Sequence, residues 1–133
     1  MQKPVSIIEA VIEAANNGNV DAMVDRFAED AVLRLDPEVP TMRPVYQGRL
    51  EIREYLQQIV ANGFHVEASD YSVSNNAVSW RSTVSGGPFG KGRGRAVQVR
   101  TQAIVQANQI LSMTIHYGTE GIQKLQAAVV EHA

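Results

Sequence analysis

Asp36 stands directly before Pro37 and closes an alternating apolar segment that begins at Ala31, so a carboxylate sits at the mouth of a strand. Such a group takes a proton from carbon effectively when a desolvated cavity raises its pKa and a donor stabilises the enolate oxygen that develops. The same Asp-Pro pair also suits a turn, in which the aspartate side chain bonds its own backbone. Both roles stand open. The other reactive residue types exclude more than they offer. The chain has no cysteine, which removes disulfides, thiolate metal ligands and a cysteine nucleophile. No serine lies in a G-x-S-x-G elbow. His65 with Glu67, and His116, fall outside HExxH or clustered-carboxylate spacing, so no metal site is expected. In SGGPFGKGRGR the glycines expose backbone N–H groups beside Lys91, yet Ser85 occupies the place of the first Walker glycine and Gly92 that of the Ser or Thr after the lysine. A hairpin connection is expected there.

The elements that must position these residues fit into one domain over residues 1–133, because a chain of this length with 44% apolar content buries one core and is too short for two. The formal charge of −2 is nearly balanced, and apart from Lys91, Arg93 and Arg95 the basic residues are dispersed. No phosphate-binding stripe results, and nucleic acid is not expected as a partner. In the opening MQKPVSIIEAVIEAANN, Glu9 and Glu13 recur at helical spacing, which reads as an amphipathic helix and not as a secretory segment. No run approaches the roughly 20 apolar residues that cross a bilayer. A soluble, cytoplasmic protein without membrane contact is the expectation.

Ile8, Val11, Ile12 and Ala15 share one face of a first helix that Pro4 suits as a start. Gly18 supplies a left-handed cap and Asn19 caps the next helix, whose stripe is Val20, Met23, Val24 and Phe27. A strand over 31–35 follows. The stretch EVPTMRPVYQG reads as an irregular loop, and Arg49 to Ala61 as a helix closed by Asn62-Gly63. From Phe64 the period changes to two, predicting four strands: HVEASDYSV, AVSWRSTV, RAVQVRTQAIV and ILSMTIHY. Their turns are placed at Asn75-Asn76, the glycine-rich loop and Ala107-Asn108. Trp80 alternates with Val78 and Val84 on an apolar face, serving as core, as pocket wall, or as both. A last helix is predicted over about Glu120 to Val130. Helices first and antiparallel strands later make an α+β domain.

Several short motifs occur in a telling order: Gly18-Asn19, Phe27-Ala28-Glu29-Asp30-Ala31, Asp36-Pro37, Gly48-Arg49 with Ile52, and SMTIHY at 112–117. With these the sequence resembles the nuclear transport factor 2-like superfamily, in its ketosteroid isomerase and polyketide cyclase (SnoaL-like) branch, over nearly the whole chain from the first helix to Tyr117. The resemblance implies a cone-shaped α+β barrel, with a curved, mostly antiparallel sheet packed on three to four helices around a hydrophobic small-molecule pocket. It nominates Asp36 as general base or acid. Arg34, or a strand-borne Gln98 or Arg100, would orient a substrate oxygen, and Tyr55, Trp80, Met113, Ile115 and Tyr117 would form the walls, with Met113, Ile115 and Tyr117 lining a cavity or a solid core. No cofactor is implied. The strand ending at Asp36 is one residue longer than the family's usual one, and parity decides which way Asp36 faces.

The isomerases of this branch supply oxyanion donors from a tyrosine on the first helix and a protonated acid on the penultimate strand. Here Val11 and Gln98 or Arg100 stand in those places, and no acid occurs between Arg95 and Gln109. Ordinary ketosteroid isomerase activity is therefore not expected. The Arg-x-Asp of the limonene epoxide hydrolase branch is matched only by Arg81-Ser82-Thr83. The resemblance leaves two readings: a cofactor-independent isomerase, cyclase or hydrolase acting on a small apolar molecule by Asp-mediated proton transfer, or a non-catalytic ligand-binding or dimeric assembly module. A homodimer through the outer sheet face is expected at family level, with Val97, Val99, Ala103 and Val105 as its apolar surface if they face outward. Periodicity leaves that direction open, because one residue more or less in the Ala107-Asn108 turn reverses the whole strand.

Overall fold

The computed structural model describes residues 3–36, 43–61, 63–86 and 97–117. The predicted last helix and most of the glycine-rich loop lie outside these residues. The elements run α1 (Pro4–Asn16), α2 (Val20–Val24), β1 (Phe27–Asp36), β2 (Val45–Gln47), α3 (Gly48–Ala61), β3 (Phe64–Ser74), β4 (Ala77–Gly86), β5 (Val97–Gln106) and β6 (Gln109–His116). The strands form one curved, unclosed sheet in the order β2-β1-β6-β5-β4-β3, antiparallel throughout except where β1 and β6 run parallel. With three helices among the described residues this is the expected α+β architecture. None of those helices is long and apolar enough to cross a membrane.

The helices cover the inner face of the sheet, α1 lying over β3 and α3 over β1. Pro4 opens α1, whose Ile7, Ile8, Val11 and Ala14 are buried. Gly18 adopts φ +72°, and the Asn19 side chain then accepts from the Ala22 N–H at 3.1 Å, so one short segment ends α1 and caps α2. The helical stripe read through to Phe27 stops earlier, at Val24, because Phe27 already belongs to β1. The loop expected before α3 contains a short strand, β2, whose Tyr46 is buried. Gly48, at φ +83°, turns the chain into α3, and Glu51 accepts the Gln47 N–H at 3.1 Å as a capping residue. The Arg49 guanidinium donates to the Phe27 carbonyl at 2.9 Å, tying the start of α3 to β1.

Two local devices fix the sheet. In β1, Phe27 pairs with Ile110 and Val32 with Ser112, so five steps along β1 match two along β6. Phe27 and Ala28 are both buried in this bulge and Glu29 and Asp30 both exposed, after which Ala31, Leu33 and Leu35 point inward. At the opposite edge, Asn16 at the end of α1 serves β3 as a substitute strand: its Nδ2 donates to the Val66 carbonyl at 2.8 Å and its Oδ1 accepts the Val66 N–H at 2.9 Å. The core between sheet and helices includes Ile7, Ile8, Phe27, Leu33, Ile52 and Ile110, all with 0% exposure. A fully buried side chain of this size contributes about 1.5–3 kcal/mol of transfer free energy.

Candidate functional site: an apolar cavity with a phenol pair

Between helices and sheet lies a cavity of about 120 Å³. Helix α1 contributes Ile8, Val11, Ile12 and Ala15, and α3 contributes Tyr55, Leu56 and Ile59. Strict alternation along the sheet supplies the other wall. Val97, Val99, Thr101, Ala103 and Val105 of β5 all point inward, while Gln98, Arg100 and Gln102 point out. On β6, Met113 and Ile115 face the cavity and Tyr117 follows them. Register sets Trp80 beside Thr101, Thr101 beside Ile115, and Ser82 beside Val99. No charged side chain is among the described lining residues.

Of the residues nominated from the sequence, the fold brings Tyr55, Trp80, Met113, Ile115 and Tyr117 together around this cavity. Arg34, Asp36, Gln98 and Arg100 stand on the opposite face. The reason is parity: the bulge at Glu29 and Asp30 sets Leu33 and Leu35 inward, so Arg34 and Asp36 between and beyond them turn to solvent. Asp36 is 67% exposed, and its Oδ2 lies 3.6 Å from Nδ1 of His116 on the neighbouring strand. Leu35 takes the inward place at the strand's mouth that a catalytic carboxylate would need. The turn at Ala107-Asn108 leaves Val97, Val99, Ala103 and Val105 buried, so these four do not form the outer apolar surface considered above.

The polar end of the cavity is built from phenols. The Tyr55 hydroxyl is hydrogen-bonded to that of Tyr117. This contact works to raise the Tyr55 pKa and to lower that of Tyr117. Burial dominates both groups all the same. It pushes Tyr55 well above the ordinary tyrosine value and Tyr117 above it too, so both are neutral phenols at physiological pH. Behind Tyr55, the buried ring of Tyr46 packs at 5.1 Å between centroids with a 53° tilt, and its hydroxyl accepts the Arg43 N–H at 3.2 Å.

Trp80 is fixed in a comparable way. Its indole Nε1 donates to Ser82 Oγ at 3.0 Å, two residues along the same face of β4, with Trp80 5% and Ser82 4% exposed. Tyr71 flanks the indole at 6.1 Å. Ser82, Thr101 and Tyr46 were not singled out from the sequence as site residues. The i, i+2 spacing of Trp80 and Ser82 carried the signal for Ser82, whereas a three-residue strand left none for Tyr46. Among the described residues no three His, Asp or Glu side chains cluster as metal ligands.

A hydrocarbon-walled cavity with neutral hydroxyls at defined points suits the capture of an apolar molecule bearing an oxygen. Comparison with known proteins places this geometry in context. Residues 8–109 match the model of the SnoaL-like domain. Among solved structures, the epoxide hydrolase/cyclase-like enzyme SalBIII of pyran ring formation in the polyether salinomycin superposes with a TM-score of 0.75 at 23% identity, over 90% of this chain and 94% of that one. An NTF2-like protein of unknown function from Cytophaga hutchinsonii gives 0.69 at 12% identity, over 90% and 94%. An LEH-like epoxide hydrolase of M. tuberculosis gives 0.67 at 19%, over 98% and 96%. No functionally curated protein matches the sequence significantly. The chain thus belongs to the SnoaL-like domain family, on a nuclear transport factor 2-like fold.

Proposed function

We propose that this protein binds a small, largely apolar molecule in its internal cavity and that the Tyr117 hydroxyl receives the ligand's oxygen. The carrying observation is the pair of buried, mutually bonded phenols in an otherwise largely hydrocarbon wall. One bond between two hydroxyls uses one of their two protons and leaves the other to donate, and Tyr117 is the less buried of the two. In a low-dielectric cavity such a bond is stronger than in water, and the partner phenol polarises it further. The same donor would stabilise negative charge developing on a carbonyl or ring-ether oxygen, which links the site chemically to the isomerase- and cyclase-like members of the family.

The reading gives Asp36 no part in the cavity. Its carboxylate is exposed on the far side of the sheet, and the described lining offers no other carboxylate or imidazole to act as a base. Ligand binding with orientation of an oxygen is therefore favoured over Asp-mediated proton transfer. The assembly alternative draws little apolar surface from β5, whose outward residues are Gln98, Arg100, Gln102 and Gln106 with Ile104 among them.

Trp80 is the single tryptophan of the chain and lines the cavity, so its fluorescence reports occupancy directly. Titration with apolar ketones, phenols and ring ethers, followed by mass spectrometry of the recovered ligand, tests the proposal. Saturable change in Trp80 emission with unaltered ligand is the expected result. Conversion of the ligand would establish turnover and reopen the search for a base, and absence of any response across the series would refute binding.

A further inference from the structure

The volume, charge and hydroxyl placement of the cavity together restrict what it can hold. An engineered cavity of about 150 Å³ with apolar walls accommodates a benzene molecule. At about 120 Å³ this cavity is of the same order. Four fused rings occupy on the order of three times the space of one, so a four-ring ligand would leave most of its surface outside this half-open cavity. The walls also set the charge. With no ionised side chain in the described lining, an ionic ligand would lose its hydration and gain no counter-charge, at a penalty that carboxylates avoid by staying in water. Polar recognition comes from hydroxyls: Tyr117 beside Tyr55 in the cavity wall, and Thr101, 5% exposed, between Trp80 and Ile115. Ser82 is already engaged as acceptor for the indole N–H. That bond holds the Trp80 ring in one orientation before any ligand arrives, so a flat ring meets a preorganised surface and orders no side chain by binding.

We propose that the cavity selects a neutral molecule of a single ring carrying one acceptor oxygen, a monocyclic ketone or phenol of roughly six to eight heavy atoms, with its ring on Trp80 and its oxygen on Tyr117. This rests on the binding function proposed above and narrows it from apolar molecules in general to one size and one charge state. Multi-ring skeletons and carboxylates are excluded.

The test compares five probes on the whole protein by Trp80 fluorescence and melting temperature: phenol, cyclohexenone, cyclohexene, benzoate and the four-ring ketone androstenedione. Phenol and cyclohexenone are expected to bind, cyclohexene about tenfold more weakly for want of the oxygen, and benzoate and androstenedione not at all. In Tyr117→Phe the tenfold preference for the oxygenated probes should vanish while cyclohexene binding persists, which also shows that the variant is folded. Androstenedione binding more tightly than the single-ring probes would overturn the size limit and leave the binding function standing. Benzoate matching phenol would overturn the neutrality requirement. Silence from all five would overturn the binding function itself and this narrowing with it.

Discussion

Replacing Asn16 by alanine isolates the device that joins α1 to the edge of the sheet. The wild-type side chain makes two hydrogen bonds to a single residue, Val66, donating at 2.8 Å and accepting at 2.9 Å. Each such bond contributes about 0.5–1.5 kcal/mol net. Asn16 is exposed, so water replaces part of what is lost and the expected cost is about 1–2 kcal/mol. For a chain of 133 residues that corresponds to a fall in melting temperature of about 3–8 °C. Asn16→Asp sharpens the test. The carboxylate still accepts the Val66 N–H but sets negative charge against the Val66 carbonyl, so this variant should be at least as unstable as alanine at neutral pH. Below about pH 4 the protonated acid regains a donor, and the difference from wild type should narrow. The assay is thermal melting at both pH values combined with hydrogen exchange at the Val66 amide. A melting temperature for Asn16→Ala within about 1 °C of wild type, with Val66 still protected, would refute the reasoning.

Three further outcomes are expected. Ser82→Ala strands the buried Trp80 Nε1–H and should cost about 1–3 kcal/mol, read as a lower urea midpoint in Trp80 fluorescence; an unchanged midpoint would contradict the assigned bond. Tyr55 and Tyr117 hold their protons above the ordinary tyrosine value of about 10, so above that pH the folded state binds more protons than the unfolded one. Stability that is fully present below pH 10 should therefore decline as pH rises through the folded-state values, and Tyr117→Phe should flatten that decline in a series of melts from about pH 8 to 11. Asp36→Asn removes a solvent-screened pair with His116 and should change stability by less than about 1 kcal/mol while leaving Trp80-reported ligand binding intact, and a loss of binding would place Asp36 in the site after all.

Much of this architecture could be read before the structure. The corner at Gly18 and Asn19 is specified by residues whose conformational and capping preferences act locally, and the change of period at Phe64 separates helices from strands. Trp80 could be placed on an apolar face by its alternation with Val78 and Val84, and Tyr55, Met113, Ile115 and Tyr117 came from the family resemblance. What escaped depends on non-local pairing. Whether the valines of β5 face in or out is settled by the Ala107-Asn108 turn, where both residues take positive φ, and by the register shift beside it at Ile104 and Val105. Strand β2 is three residues long and exists through its pairing with β1, too short to show a period of its own. Asp36 was legible as a carboxylate at a strand's mouth, but its facing depends on an irregularity several residues upstream that no local pattern announces.

That irregularity has a consequence for divergence. Deleting one residue from the bulge at Glu29 and Asp30 would invert the parity of everything from Val32 to Asp36, exchanging Leu33 and Leu35 for Arg34 and Asp36 at the inner wall. One codon gained or lost thus separates a hydrocarbon stretch of this strand's inner wall from one that carries a guanidinium and a carboxylate, with no change to the identity of any remaining side chain. In a lineage built on this sheet, new chemistry can be reached by shifting the reading of an existing strand as readily as by substituting its residues.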